Sequence, residues 1–481
     1  MQDAAIYISK KEKWAFFLSI AIFLLALYQF IDKDNPIPLL GVLSLFSVFI
    51  LLLDYRSIYF LFFLTIPYSI EFSFSQTLGT DLPSEPIMWL LFGIGILSLI
   101  TRGLKEKFLY LDNPITILII LHVIAIFFTS LFSQDHILSF KYFIAKLWYI
   151  IPFFFLPLNF INTEIVIKLF KVCIWSLAIG IMITIFRHSL QNFTFDSINL
   201  VMKPFFRNHV SYAAIAVLVL PFVWAMFRIS TNKMGKLVYG FLILLYILAI
   251  SLSYTRAAMG SIVLAVAAYY IFQWKLIKQA IIASVMVVMI GGLFLYNNNA
   301  WLDLAPNFEK TISHDEFGNL ISATYKLEDI SSMERIHRWV AGVAMVEDKP
   351  IFGFGPSTFY SFYKPYTLTS FQTYVSDNPE HSGIHNYYLM VLVEQGIFGF
   401  LIFISLVITT LLYGEKVYHL TKSLRDKTLV MASLLCVIIV LILNTMNDLL
   451  EVDKVGFIFF FCLSLLVYFG RKTSFDTNLD Q

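Results

Sequence analysis

Charge is scarce in this chain. Only 14% of its 481 residues are Asp, Glu, Lys or Arg, against roughly 25% in an ordinary soluble domain. The formal net charge is only +2, so bulk charge gives no reason to expect nucleic acid as a partner. Cysteine is rarer still. Cys173, Cys436 and Cys462 all sit inside apolar runs, where they read as small buried hydrophobes and build neither a disulfide framework nor a metal cluster. The acidic "DKD" at Asp32 to Asp34 has nothing at ligand spacing to pair with, so neither a metal nor a cofactor is expected. Fixed-period repeats and low-complexity linkers are missing as well. The only long polar stretch runs from about residue 297 to 384. The N-terminal "KKEKWAFFLSIAIFLLALYQF" lacks a small-residue cleavage site and reads as a retained first helix.

What the chain has is apolar length. It is 59% hydrophobic, with a mean hydropathy of +0.77, and runs near the roughly 20 residues that cross a bilayer recur from end to end. The expected fold class is an all-α polytopic membrane protein. Residues 1–481 form a single membrane domain with about 12–14 transmembrane helices and one large extracytoplasmic loop, 297–396, carrying short helices. Candidate spans fall near 14–31, 37–53, 57–70, 87–101, 115–133, 141–158, 164–186, 209–228, 236–255, 257–274, 278–296, 397–413, 428–446 and 455–470.

The basic loops set the orientation. With Lys10, Lys11 and Lys13 inside, alternation also puts inside Arg102, Lys105 and Lys107; Arg228, Lys233 and Lys236; Lys275 and Lys278; "GEKVYHLTKSLRDK"; and Arg471 with Lys472. Both termini are then cytoplasmic. The loop from Glu71 to Glu85, with acids and no Lys or Arg, falls outside, as does the polar stretch up to Ile384.

Polar clusters should gather on that outer face. "FFRNHVSY" puts Arg207, Asn208 and His209 at the start of one helix. "LSYTRAAMGS" puts Arg256 at a tight corner, and "SSMERIHRWVAGVAMVEDKPIFGFGPSTF" puts Arg335 and Arg338 in the large loop. An Arg at the membrane edge is costly, and its planar fork suits phosphate oxygens. Each also has a plain structural reading. Arg256 can snorkel to headgroups, Arg335 and Arg338 can line a solvated helix face, and Arg207 and His209 can anchor an interface. "HSGIHNYYLMVLVEQGIFGF" then places His385 and Asn386 at the mouth of an apolar run. Residues 385–413 as one helix would be about 43 Å long at about 1.5 Å per residue, more than a hydrocarbon core of about 30 Å. A break is expected at Gly396, with a short surface helix from about His385 to Gln395 and Glu394 near the bend.

These residues resemble a known family. His385, Asn386, Gly396 and Gly399 fit a His-Asn, nine residues, Gly, two residues, Gly pattern similar to that of the O-antigen ligase and polymerase superfamily. Arg335, Trp339, Pro350, Gly353 and Gly355 resemble its Arg-x-x-x-Trp and Pro-x-x-Gly-x-Gly elements, and "SYTRAAM" resembles its Ser/Thr-Arg-small corner, with Ala257 where Gly is common. The resemblance covers about residues 205 to 400. It implies a GT-C-like glycosyltransferase of the bacterial inner membrane with a periplasmic active site. Such an enzyme is metal-independent and inverting, moving a glycan from undecaprenyl diphosphate to an acceptor hydroxyl such as lipid A-core.

The residues fit that chemistry. Arg256 and Arg335 would hold the diphosphate, and His385 would accept or orient the acceptor's proton. Arg207, Asn208, His209, Arg338, Asn386 and Glu394 would bind substrate. Trp339, Gly353, Gly355, Gly396 and Gly399 would serve structure. Glu394, Asp448 and Glu451 remain alternatives for the base. The same donor chemistry also suits an O-antigen or exopolysaccharide polymerase or a protein-targeting oligosaccharide transferase. From a different class, a transporter or flippase would want polar groups at mid-depth, with Lys168 and Lys171 the main exceptions here to their gathering on one face.

Overall fold

The computed structural model describes residues 55–73, 79–101, 110–297, 330–367 and 383–479. The chain divides into two compact units, Met1–Leu61 and Phe62–Gln481. Of the first, the described residues are the opening turns of helix α1 (Arg56–Thr65). The second continues through a hairpin, β1 (Ile70–Ser73) and β2 (Gly79–Leu82), into α2 (Ser84–Thr101), α3 (Pro114–Leu131), α4 (His136–Ile150), α5 (Thr163–Ser189) and α6 (Ile198–Met202). There follow α7 (His209–Ile229), α8 (Lys233–Ser251), α9 (Arg256–Gln273), α10 (Ile277–Asn297), α11 (Ile330–Asp348), α12 (Phe359–Phe362), α13 (Tyr387–Leu420), α14 (Leu424–Leu443) and α15 (Asp453–Leu479).

The all-α polytopic architecture is what the hydropathy requires. Ten helices among the described residues are long and apolar enough to cross a membrane. The expected spans at 14–31 and 37–53 lie outside the described residues. The expected span at 57–70 is corrected: its helix stops at Thr65, Pro67 sits in a 3-10 turn, and the chain enters β1 at Ile70. Ten helical residues reach only about 15 Å. Of the large polar loop, residues 330–367 and 383–396 are described, and its longest helix there is the 19-residue α11.

Helix ends in lipid must find partners for their free N–H groups, and this sequence places short polar side chains there. Asn113, Asp135, Asn162, Asn208, Asn232, Asn386 and Ser423 each accept from an N–H of the first turn they precede. The core lies around the last two spans, 83% and 94% buried, whereas Ile277–Phe294 is only 6% buried and forms the periphery.

Bonds between distant helices fix which ends lie together. At one end His419 Nε2 lies 2.8 Å from the Phe272 carbonyl, Glu415 accepts from the Ile277 N–H, and Lys472 pairs with Asp426 at 2.7 Å. This is the end of the described basic loops, those holding Lys275 and Lys278, residues 414–427, and Arg471 with Lys472. At the opposite end the Tyr387 N–H donates to the Asn444 carbonyl, Gln134 N–H to the Phe354 carbonyl, and Lys454 to the carbonyls of Ser69 and Phe205. The parallel α9 and α13 thus begin at the same end, the one away from the basic loops.

Candidate active site

The base of the site is the break in α13. Gly396 has φ 64° and ψ −169°, separating residues 387–395 from 397–420, as the length argument required. Its freed backbone groups are taken by the loop after α11: Ile397 N–H donates to the Pro350 carbonyl at 2.8 Å and Phe398 N–H to that of Ile351 at 3.3 Å. In return Phe354 and Gly355 donate to the carbonyls of Val393 and Glu394. The two chains lie so close that a Cβ on Gly396 would stand 2.2 Å from the Ile351 oxygen, and one on Gly353, at φ +69°, 2.5 Å from the Val393 oxygen. Gly355 presses in the same way against Ser133, and Gly399 against the Gln395 side chain.

Glu394, only 2% exposed, completes this seat. Its carboxylate accepts from the backbone N–H of Ser357 at 2.7 Å and of Phe359 at 3.1 Å, so both oxygens brace the loop at the start of α12. That geometry makes Glu394 an anchor for the Gly-rich loop instead of a group open to substrate.

Above the break, α11 packs along the approach to α13. Positions 335, 338, 339 and 342 are spaced to share one helix face. The Trp339 indole donates to the Ile384 carbonyl at 3.1 Å and buried Arg338 to the Gly383 carbonyl at 3.3 Å. Gly342 lets Ile384 and Leu389 approach. His385 follows in a left-handed conformation, φ 55°, which few non-glycine residues adopt. Asn386 then caps α13 with its Oδ1 on the Leu389 N–H.

Arg335 and Arg338 both bear on the His385 ring. Burial first, then the two positive charges, push its pKa down to about 3, so the imidazole is neutral. Asp448 is the unforeseen neighbour: the His385 backbone N–H bonds to it, and burial with the nearby Glu451 charge pushes its pKa up to about 7 against the pull of the arginines. Its Oδ1 is buried with no hydrogen-bond partner. Asp448 stood in the sequence only as one of three alternative bases, because its 63-residue separation from His385 gives no local pattern.

A second group lies at the same end. Asn208 caps α7 through Oδ1, and His209 Nδ1 sits 2.9 Å from Asn199. Thr255 donates to the His209 carbonyl, which ties this corner to Arg256, the first residue of α9. A cation at a helix N-terminus opposes the helix dipole; together the two favour an anion in front of them. Arg207 is 74% exposed and stands 3.8 Å from Glu71, which itself faces Asp81 across the hairpin.

Sequence reasoning missed Lys146, although a lysine inside an apolar run is the signal that should have exposed it. It is 1% exposed and pairs with Glu451 at 2.8 Å. Among the described residues no group of three or more His, Cys, Asp or Glu gathers as a metal-ligand set.

Residues 241–404 match the family model described as O-antigen ligase. The matched stretch contains Arg256, Arg335, Arg338, the Gly-rich loop, His385 and the Gly396 break, and it leaves Arg207 to His209 and Asp448 outside. The match supports the O-antigen ligase superfamily and a ligase- or polymerase-type glycosyltransferase. No curated protein matches the chain.

Proposed function

We propose that this chain, whose residues 241–404 are of the O-antigen ligase family, transfers a glycan from undecaprenyl diphosphate to a hydroxyl of lipid A-core. The reaction takes place at the periplasmic face of the bacterial inner membrane. The observation that carries this reading is the neutral His385 imidazole held beside Arg335 and Arg338, at the end of the bundle away from the basic loops. By the positive-inside rule those loops are cytoplasmic, which puts the His385 end outside. Nucleotide sugars stay in the cytoplasm, so a lipid-linked donor suits an outward site.

The acceptor hydroxyl oxygen attacks the anomeric carbon from the face opposite the diphosphate, and the anomeric carbon–oxygen bond to phosphate breaks with inversion. The electron pair leaves on the diphosphate, whose growing charge Arg256, Arg335 and Arg338 stabilise. The hydroxyl proton passes to His385. In the free site burial, and after it Arg338 and Arg335, make His385 a weak base, and a bound diphosphate offsets the arginines' share and strengthens it. Proton transfer is thereby coupled to occupancy by the donor. Asp448 holds the His385 backbone and supplies a second group that exchanges protons near neutral pH.

The test is a lipopolysaccharide gel of a deletion strain complemented with wild type or His385→Ala. Bare core with polymer left on the lipid carrier, in both the deletion and the His385→Ala strains, is the expected result. Core bearing a single repeat unit would make the chain a polymerase with the same donor. An unchanged ladder would remove the reading.

A further inference from the structure

The Lys146–Glu451 pair is not absorbed by the reaction just described, yet it is among the costliest features of the fold. Lys146 sits on α4 inside an apolar span, 1% exposed, and its ammonium is ringed by Tyr142, Tyr149 and Tyr387 at 5.4, 6.0 and 5.5 Å. Its Nζ donates to Glu451 Oε1 at 2.8 Å, and the Tyr142 hydroxyl donates to the same oxygen at 2.9 Å. Tyr149 adds a bond to the Glu451 carbonyl at 3.3 Å. The Lys146 side chain is buried and that of Glu451 is 26% exposed; an ion pair with a buried member gains little stability over apolar residues of the same volume, so its presence in a membrane domain calls for another reason.

That reason lies one turn away. The Glu451 N–H donates to the Asp448 carbonyl at 3.2 Å, so both acids belong to one short turn between α14 and α15, and α4 clamps that turn through three side chains. We propose that Lys146 and Glu451 are positioning residues for the transfer site: the pair holds the Asp448–Glu451 turn, and the carboxyl of Asp448 with it, against the backbone of His385. The inference rests on the transferase reading for its kinetic consequences, though its electrostatic consequence stands without substrate. Asp448 is faced by Arg335 and Arg338 from α11, by His385 and Glu394 from the α13 side, and by Glu451 from its own turn. Of these, Glu451 is the largest single charge effect and the one α4 fixes in place.

Two measurements test it. In the first, infrared pH titration of the full-length protein in nanodiscs follows the protonated carboxyl band assigned by Asp448→Asn. Removing the Glu451 charge with Glu451→Gln lowers the Asp448 midpoint by about one pH unit or more; an unmoved midpoint overturns the proposal whatever the substrate is. In the second, Lys146→Met/Glu451→Leu replaces the pair by apolar side chains and folds as stably as wild type. Its kcat for transfer falls at least about tenfold at unchanged KM, a part of the roughly 10²- to 10⁴-fold a placed acid–base group supplies. Wild-type transfer by that double variant would reduce the pair to space filling and overturn the positioning role. Should the double variant fail to fold, Glu451→Asp, which keeps the charge and shortens its reach, takes its place with the same expected fall, and unchanged kcat again overturns the role. Full transfer by His385→Ala rejects the site reading alone, because the infrared result is independent of it.

Discussion

Replacing Gly396 by alanine is the sharpest test of how the site is built. At φ 64° and ψ −169° the residue occupies a region that is essentially restricted to glycine, so an L side chain there costs roughly 1–3 kcal/mol. The added methyl would also stand 2.2 Å from the Ile351 oxygen and 2.7 Å from the Phe352 nitrogen, both backbone atoms that no rotamer change can move. Relief requires the Gly-rich loop to retreat. The hydrogen bonds from Ile397 and Phe398 to that loop then lengthen or break, each at a net cost of about 0.5–1.5 kcal/mol. The combined effect is about 2–6 kcal/mol, a large share of the roughly 5–15 kcal/mol that holds a typical domain folded. The assay is reversible unfolding in mixed micelles, with Gly260→Ala as the comparison. Gly260 has open space where its Cβ would be, and alanine there leaves stability unchanged or raises it by up to about 1 kcal/mol. A Gly396→Ala protein within about 0.5 kcal/mol of wild type, with transfer intact, would refute the account of the break as a seat for the loop.

Three further outcomes are expected. Arg256→Lys lowers transfer while leaving insertion unchanged, because a point charge does not reproduce the guanidinium fork; full transfer in a purified-enzyme assay would leave Arg256 as a headgroup anchor. Adding a diphosphate lipid raises the pKa of His385 part of the way from about 3, read by nuclear magnetic resonance of labelled histidine, because the ligand offsets Arg338 and Arg335 while burial, the larger cause, stays in force; an unmoved resonance would place the diphosphate elsewhere. Asp448 titrates higher in the folded protein than in the unfolded chain, so the stability it confers is present below about pH 4 and is lost as pH rises through about 7. The rise from 3.8 to about 7, at about 1.4 kcal/mol for each pH unit, corresponds to roughly 4 kcal/mol as a ceiling. Asp448→Asn flattens that slope in denaturation curves taken across this range, and an unchanged slope would refute the burial argument.

The helix break beneath the candidate site was legible because it is written locally. The break at Gly396 follows from counting residues against bilayer thickness. The boundaries of α7 and α9 fell where the polar residues stop. The roles of the asparagines were harder to read. Asn208 and Asn386 look like ligands in a string of polar residues, and their Oδ1 atoms cap helices instead. Glu394 looked like an acid near a bend, and only the return of residues 357–359 reveals its two amide partners. The short helix at Arg56–Thr65 was hidden by the apolar residues around Pro67, which periodicity alone does not separate from a span. Asp448, Glu451 and Lys146 meet across hundreds of positions. Such meetings depend on packing, and no window of sequence contains them.

The corner at the opposite end of the bundle has a consequence for biogenesis. The turn from α9 into α10 is closed by His419 beside the Phe272 carbonyl and by Glu415 on the Ile277 N–H, both from a helix made some 140 residues later. While the chain is being synthesised that corner has no such partners, and its polar backbone must stay hydrated or rest against the insertion machinery until α13 arrives. The order of translation thereby becomes an order of assembly. A nascent chain arrested near residue 300 should leave a cysteine at Ile277, which is buried in the finished fold, open to water-soluble reagents, and one arrested beyond residue 460 should protect it.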